Sequence, residues 1–263
     1  MIVAKPSRLL SEERRRKILE LIEKDGRVTV TGLVQRLGVS SVTARADLDM
    51  LAGNGALVRS HGGAVRLLNP VHDYPVSFKK TLHHAEKVRI GQAAARLLKP
   101  NQTVILDSGT TTLEIARQLK SLTLKNLTVI TNALNNATEL AERPNLSLIM
   151  IGGIIRQVSG SFVGPQAERM LSDLHADHCF LGVDGLDPEA GPTTPDILEA
   201  QVNNVMIQVS REVTIVADAS KIGRRSLSSI GNLSSIRRLI TDDRIDPEMV
   251  RVFQGKGLEL VVV

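Results

Sequence analysis

Three stretches of this chain carry residue types at spacings that could do chemistry. The first is Asp107-Ser108-Gly109-Thr110-Thr111-Thr112, which follows a short apolar run and opens a helical pattern. Gly109 permits a tight turn. The N–H groups of Gly109 to Thr111, with the hydroxyls beside them, would converge at a helix N-terminus, where unpaired donors and the helix dipole favour an anion. The stretch lacks the Gly-Lys-Ser/Thr ending of a nucleotide phosphate loop. A strand followed by Ser-Gly-Thr and a helix is also how an ordinary capped helix looks. Its weight comes from four other apolar runs that end in polar or glycine residues: Thr131-Asn132, Gly152-Gly153, Asp184-Gly185 and Ala217-Asp218-Ala219-Ser220-Lys221. In a parallel sheet, ligands bind beyond the carboxyl ends of the strands. Lys221 could neutralise a phosphate or meet sugar oxygens.

The second stretch is Asp184-Gly185-Leu186-Asp187. Two carboxylates at this spacing could act as general base and orienting group for proton transfer at a sugar carbon. They could equally form a turn that Asp187-Pro188 terminates. The third is Val39-Ser40-Ser41-Val42-Thr43-Ala44-Arg45-Ala46-Asp47-Leu48, followed by Arg59-Ser60-His61-Gly62-Gly63-Ala64. It reads as a short helix and then the tip of a tight β-wing, the DNA-reading end of a winged helix-turn-helix. Such a helix enters the major groove and meets base edges with its N-terminal side chains. Ser40, Ser41 and Thr43 can donate to a phosphate. Arg45 is the only long cation on the helix and can meet guanine or phosphate. Arg59, His61 and Gly62 would contact the DNA backbone from the wing.

These groups need elements to hold them. The chain has 263 residues, 42% of them apolar and 2% aromatic, with no tryptophan. Its core must therefore be built from Leu, Ile, Val and Ala. The single cysteine, Cys179, excludes an internal disulfide and sits in an apolar run, as a buried thiol does. No signal-peptide pattern or bilayer-length apolar run is present, so a soluble, cytoplasmic protein without membrane association is expected. The net charge of +5 is unevenly placed. Residues 1–66 hold 12 Lys/Arg against 7 Asp/Glu, and the remainder holds 21 of each. A basic head on a neutral body suits phosphate binding, which releases counterions. A solvated basic helix would leave the same trace.

Within the head, an amphipathic helix spans 11–24 and ends at Gly26. A short extended piece covers 27–30, and Thr31 can cap a second helix closed by Gly38. Ser40 caps a third, in which Ala44, Leu48 and Leu51 share one face. Residues 56–60 and 64–68 pair around His61-Gly62-Gly63. Domains are expected at 1–68 and 81–263, with a proline-containing linker at 69–80. In the body, strands are expected at 103–106, 127–131, 146–151, 178–183, 213–217, 238–241 and 258–263. Helices fall at 81–98, 111–119, 133–142, 167–174, 197–209 and 247–254. Short apolar strands alternating with amphipathic helices indicate an α/β fold, a doubly wound and mostly parallel sheet covered on both faces.

The head resembles the N-terminal domain of the DeoR/GlpR family of bacterial transcriptional regulators. The resemblance rests on Val39, Ser40, Thr43, Arg45, Asp47 and Leu48 in the helix, and on Arg59, His61, Gly62, Gly63 and Ala64 in the wing. The chain departs from the family pattern at Ala44, where the family has isoleucine, and at Ala46, where it has a second arginine. The body resembles the family's C-terminal domain, which shares the fold of sugar-phosphate isomerases. Pro75-Val76-Ser77-Phe78 and Glu86-Lys87 also match, so the resemblance runs from about Ser11 to the last strand. It implies a phosphorylated sugar as effector. Asp107, Ser108, Gly109, Thr110 and Thr111 would hold phosphate and sugar, with Thr131, Asn132, Gly152 and Gly153 around the ligand. Asp184, Glu199 and Lys221 would lie on its polyol side.

Asp184-Gly185-Leu186-Asp187 resembles the Asp-Gly-Ala-Asp of ribose-5-phosphate isomerase. That pattern continues there with a lysine and a glycine-rich loop, where this chain has Gly191-Pro192-Thr193-Thr194-Pro195. General acid–base work needs its complete positioned set, so no catalytic residues are expected. No metal or cofactor is expected beyond the effector, whether a pentose, hexose, hexitol or amino-sugar phosphate. The resulting expectation is a repressor, dimeric or tetrameric, that binds operator double-stranded DNA under control of that effector. An isomerase that has acquired a head, and a head that binds protein, are the competing readings.

Overall fold

In the first unit of the chain, α1 (Ser11–Asp25), α2 (Val30–Leu37) and α3 (Ser41–Gly53) pack beside a small antiparallel sheet. Its strands β1 (Arg27–Thr29), β2 (Val58–Ser60) and β3 (Gly63–Val65) lie in the order β1-β3-β2. The computed structural model describes residues 10–53, 56–65, 73–122, 124–144 and 146–263. The chain divides after Leu82 into two units.

The helical spacing of apolar residues puts Ile18, Leu19 and Ile22 of α1 into one core with Leu33, Ala44, Leu48 and Leu51. Each fully buried Leu or Ile adds roughly 1.5–3 kcal/mol. α1 stops at Gly26, whose left-handed backbone (φ 73°) lets its N–H close on the Ile22 carbonyl. The cap of α2 differs from expectation. Thr29, not Thr31, accepts the Gly32 N–H at 3.0 Å, because the helix already begins at Val30. Ser40 caps α3 as expected, its Oγ accepting the Thr43 N–H at 3.1 Å. Residues 66–68 of the expected second wing strand, and 66–72 around the expected linker, lie outside the described residues. Farther along, Tyr74 and Phe78 pack on the same core as α1 and α3, Phe78 from the short helix α4 (Val76–Lys79).

The second unit is built on a seven-stranded parallel sheet. The chain runs through α5 (His84–Ala95), β4 (Thr103–Leu106), α6 (Thr110–Leu119), β5 (Leu127–Thr131), α7 (Leu134–Leu140) and β6 (Leu146–Met150). Next come β7 (Ile154–Arg156), β8 (Ser161–Val163), α8 (Pro165–Ser172), β9 (Ala176–Leu181), β10 (Gly185–Asp187), β11 (Gly191–Thr194) and α9 (Ile197–Gln208). It closes with β12 (Ser210–Val216), β13 (Ser228–Ser229), β14 (Arg238–Thr241), α10 (Pro247–Gly255) and β15 (Glu259–Val262). The sheet order is β15-β14-β12-β9-β4-β5-β6, so the expected doubly wound fold is present.

Side chains alternate across this sheet. Ile105, Cys179 and Ile215 face a core completed by Val202 and Met206 of α9, Leu171 of α8 and Phe253 of α10. Val104, Leu106, Phe180 and Val216 face the other core, with Ile90 of α5, Ile115 and Leu119 of α6, and Leu140 of α7. Cys179 is fully buried in the central strand, and desolvation pushes its thiol pKa far up. From β4 the chain winds out to β5 and β6, then returns to lay β9 on β4's other side. The strand order therefore reverses between β4 and β9, and ligands bind beyond strand ends at such a switch point. Short antiparallel pieces decorate the second unit. β7 pairs with β8, while β10, β11 and β13 form a separate small sheet. None of these five was expected from the sequence.

Candidate functional site

Asp107 sits at the switch point. Leaving β4, its buried carboxylate accepts the Gly109 N–H and the Thr112 hydroxyl on Oδ1, at 2.9 and 2.7 Å, and the Gly182 N–H on Oδ2 at 2.9 Å. Gly182 follows β9, so one side chain ties together the loops of the two strands that flank the reversal. Desolvation raises its pKa to about 6, against the lowering effect of those donors and with a further push from Asp184. There is little room for a side chain on either side. A Cβ on Gly109 would lie 3.1 Å from Asp107 Oδ1, and one on Gly182 would lie 3.3 Å from Oδ2.

Gly109 is the N-cap of α6 and has no side chain to offer. The helix therefore opens with N–H groups on Thr110, Thr111 and Thr112 and the hydroxyls of two nearly buried threonines, an arrangement that favours an anion. The Ser108 hydroxyl lies 3.2 Å from Glu199 Oε1, donating to it. Glu199 is in the first turn of α9, whose cap Asp196 accepts the Glu199 N–H at 2.8 Å. Arg156 of β7 reaches both carboxylates, with Nε 3.1 Å from Asp196 Oδ2 and Nη1 3.5 Å from Glu199 Oε2. Lys221 Nζ lies 3.3 Å from Asp184 Oδ1, joining the ends of β9 and β12.

The remaining expected residues have different surroundings. Thr131 and Asn132 are fully buried. The Thr131 hydroxyl accepts the Ala133 N–H at 3.1 Å, and the Asn132 amide donates to the Phe162 carbonyl at 3.0 Å. Asn136, missed in the sequence, links the two loops by donating to the Asp107 carbonyl at 2.7 Å. Gly152 and Gly153 follow β6 at the edge of the sheet. Their neighbours are Met170, Val163 and Ala167, and a Cβ on Gly153 would lie 2.7 Å from the Val163 carbonyl. They let β8 and α8 approach closely. Asp187 closes a turn, accepting the Glu189 and Ala190 N–H groups at 2.8 and 2.9 Å. Its bond to Arg225 lowers its pKa to about 2. It is spent as a turn residue, the second of the two readings of that carboxylate pair.

Beyond these, Asp218 and Asp242 mark the ends of β12 and β14. Asp242 accepts the Ala219 N–H at 2.7 Å and Arg244 Nε at 2.7 Å. Arg244 in turn donates to His83 Nδ1 at 3.0 Å. Burial raises the Asp218 pKa, but Lys87, Lys221 and His83 outweigh it and leave the group below its ordinary value. Asp242 was the one strand end of this edge that sequence patterning overlooked, although Thr241-Asp242 repeats the signal of Thr131-Asn132. Among the described residues no group of His, Cys, Asp and Glu could hold a metal ion.

In the first unit, Ser41 and Arg45 are exposed on α3, Thr43 is partly buried, and no ion pair engages Arg45 among the described residues. Thr43 Oγ1 lies 2.8 Å from Ser40 Oγ. His61 and Gly62 form an exposed two-residue turn between β2 and β3, with Gly62 at φ 78°. Arg59 is committed inward as well as being on the wing, since it meets Asp49 at 2.9 Å and the Gly63 carbonyl at 2.6 Å. Asp47 is buried and takes the guanidinium of Arg14 and, at 3.2 Å, that of Arg15.

The model of the DeoR-like helix-turn-helix domain matches residues 14–68, and that of the DeoR C terminal sensor domain matches residues 82–243. This chain belongs to the DeoR family of transcriptional regulators. It is 38% identical to the putative aga operon transcriptional repressor of Escherichia coli O157:H7, over 96% of this chain and 94% of that one. To the HTH-type transcriptional regulator GlpR of Haloferax volcanii it is 36% identical, over 96% and 98% of the two chains. The glycerol-3-phosphate regulon repressor of Escherichia coli K12 is 32% identical, over 94% and 97%. These relatives are named as regulators and repressors, not enzymes. No helix among the described residues is long and apolar enough to cross a membrane.

Proposed function

We propose that the chain is a cytoplasmic repressor of a carbohydrate-utilisation operon whose grip on operator DNA is controlled by a phosphorylated sugar. The observation that carries this reading is the start of α6 at the switch point between β4 and β9, in a chain whose other unit is a DNA-binding head. The free N–H groups of Thr110 and Thr111 take the phosphate, with Ser108 beside them. Asp184 and Lys221, paired across two further strand ends, meet the hydroxyl groups of a pentose, hexose, hexitol or amino-sugar phosphate. Arg45 and the Ser40–Thr43 turn meet the major groove, and His61 meets the backbone from the wing. Two or four copies present paired heads to spaced half-sites. To act as inducer, the effector binds the arrangement poorly suited to DNA more tightly, with a coupling of about 1–3 kcal/mol.

A thermal-shift screen against phosphorylated sugars tests the sensor half. A true effector raises the melting temperature by mass action and releases the protein from its operator, and Thr110→Glu abolishes both by like-charge repulsion. A panel that leaves both melting temperature and operator affinity unchanged removes the effector from the account.

A further inference from the structure

We propose that Glu199 competes with the effector's phosphate for Ser108, and that binding drives the Glu199 carboxylate across to Arg156. This deepens the sensor reading and rests on it. Glu199 bridges two groups an anion would seek. One oxygen takes the Ser108 hydroxyl at 3.2 Å, and the other stands 3.5 Å from the Arg156 guanidinium. Ser108 leads directly into the N-terminus of α6, so the carboxylate already supplies negative charge at that end of the helix.

A phosphate on the Thr110 and Thr111 N–H groups would share Ser108 with that carboxylate. The surroundings cannot absorb both charges. Glu199 already lies on Ser108, the neighbouring Asp107 feels a further push from Asp184, and Arg156 is shared between Glu199 and Asp196. Glu199 has a destination, because Arg156 lies within reach and is already fixed by Asp196 at 3.1 Å. Two buried amide oxygens nearby, Asn132 Oδ1 and Asn136 Oδ1, have no donor. Asn136 holds the Asp107 carbonyl through its other amide atom, so an unpaired acceptor lies buried beneath the same loop.

The consequence is a filter on ligand charge. A neutral sugar lacks the means to displace the carboxylate, whereas a phosphate gains the helix N-terminus in exchange. The exchange also tightens the link between α9 and the β7–β8 hairpin, because Glu199 belongs to the first and Arg156 to the second.

Calorimetry with inorganic phosphate as probe tests this on the full chain. Glu199→Gln, close to isosteric, is expected to bind phosphate about tenfold more tightly than wild type, because one like charge at short range is gone. Adding Ser108→Ala removes that gain. Arg156→Gln takes away the destination and weakens phosphate binding about tenfold, and Glu199→Gln in the same chain restores it. Phosphate binding by Glu199→Gln that is equal to or weaker than wild type overturns the proposal. If wild type still shows a melting shift with a sugar phosphate, the sensor reading survives that result. Absence of phosphate binding in both proteins, with no shift for any phosphorylated sugar, overturns both.

Discussion

At the scale of single residues, two buried groups of the second unit titrate in opposing directions over the same pH range. Desolvation lifts Asp107 to about 6. Its contribution to stability is complete below the unfolded carboxylate value near 4 and is lost as pH rises through about 6. His178 lies in β9, stacked on Phe180 and 2.8 Å from the Thr214 hydroxyl, and desolvation lowers its pKa to about 4. Its contribution is complete above the unfolded imidazole value of 6.5 and is lost as pH falls through about 4. Each is worth about 3 kcal/mol, so together they nearly cancel. Replacing His178 by Gln exposes the slope that remains. In urea titrations between pH 4 and 6.5, the stability gap between wild type and His178→Gln is expected to widen by about 3 kcal/mol as pH rises. A gap that stays constant means that His178 titrates at the same pH in the folded and the unfolded chain. The loop from Asp107 to Thr112 was legible in the sequence because its residues are contiguous and each has a local reason to be there. Glu199 on Ser108, Arg156 on Glu199 and Gly182 on Asp107 were not. Those partners lie tens of residues apart and meet only once the sheet has formed.

At the scale of elements, parallel strands such as β4, β5 and β14 could be read directly, since burial on both faces demands an unbroken apolar run. The antiparallel pieces β7, β8, β10, β11 and β13 escaped notice because two to four residues with mixed exposure carry no period. Thr29 was passed over as a cap in favour of Thr31 because the helix takes in Val30, a residue whose type suits a strand. The recognition helix was read correctly from Ala44, Leu48 and Leu51, but the role of Asp47 could not be. It is a family position in the sequence and a buried tie between α1 and α3 in the fold. Asp47→Ala removes the buried carboxylate on which the Arg14 and Arg15 guanidinium groups close, at a cost of about 3 kcal/mol. Loss of helical signal at a lower denaturant concentration measures it. Gly63→Ala should be equally harmful, because its Cβ would lie 2.0 Å from the Val28 carbonyl of β1. The wing should detach, and operator binding should fall with it. Arg45→Ala, by contrast, leaves the fold intact. It is expected to weaken operator binding by about tenfold or more. If it contacts phosphate rather than guanine, the loss will be uniform across sequences, with a shallower salt dependence.

At the scale of the whole molecule, two units with separate cores divide the labour and should divide the response to perturbation. A sugar phosphate at a hundred times its dissociation constant stabilises the unit that binds it by about 2.7 kcal/mol. Asp47→Ala should lower the melting of the first unit alone. Differential scanning calorimetry of the variant with and without ligand is expected to show two transitions moving in opposite directions. A single transition that moves with both changes means that the two units unfold together.

The buried thiol in the middle of the central strand has a kinetic consequence. Cys179 faces the core between the sheet and α8, α9 and α10, with its ionisation suppressed by burial. Only the thiolate attacks disulfides and peroxides. Oxidants and thiol reagents therefore do not reach this thiol while the sheet is closed. The same residue becomes a stopwatch. With reagent in enough excess to outpace reclosing, its labelling rate reports how often the central sheet opens, and a ligand that binds only the closed sheet is expected to slow it.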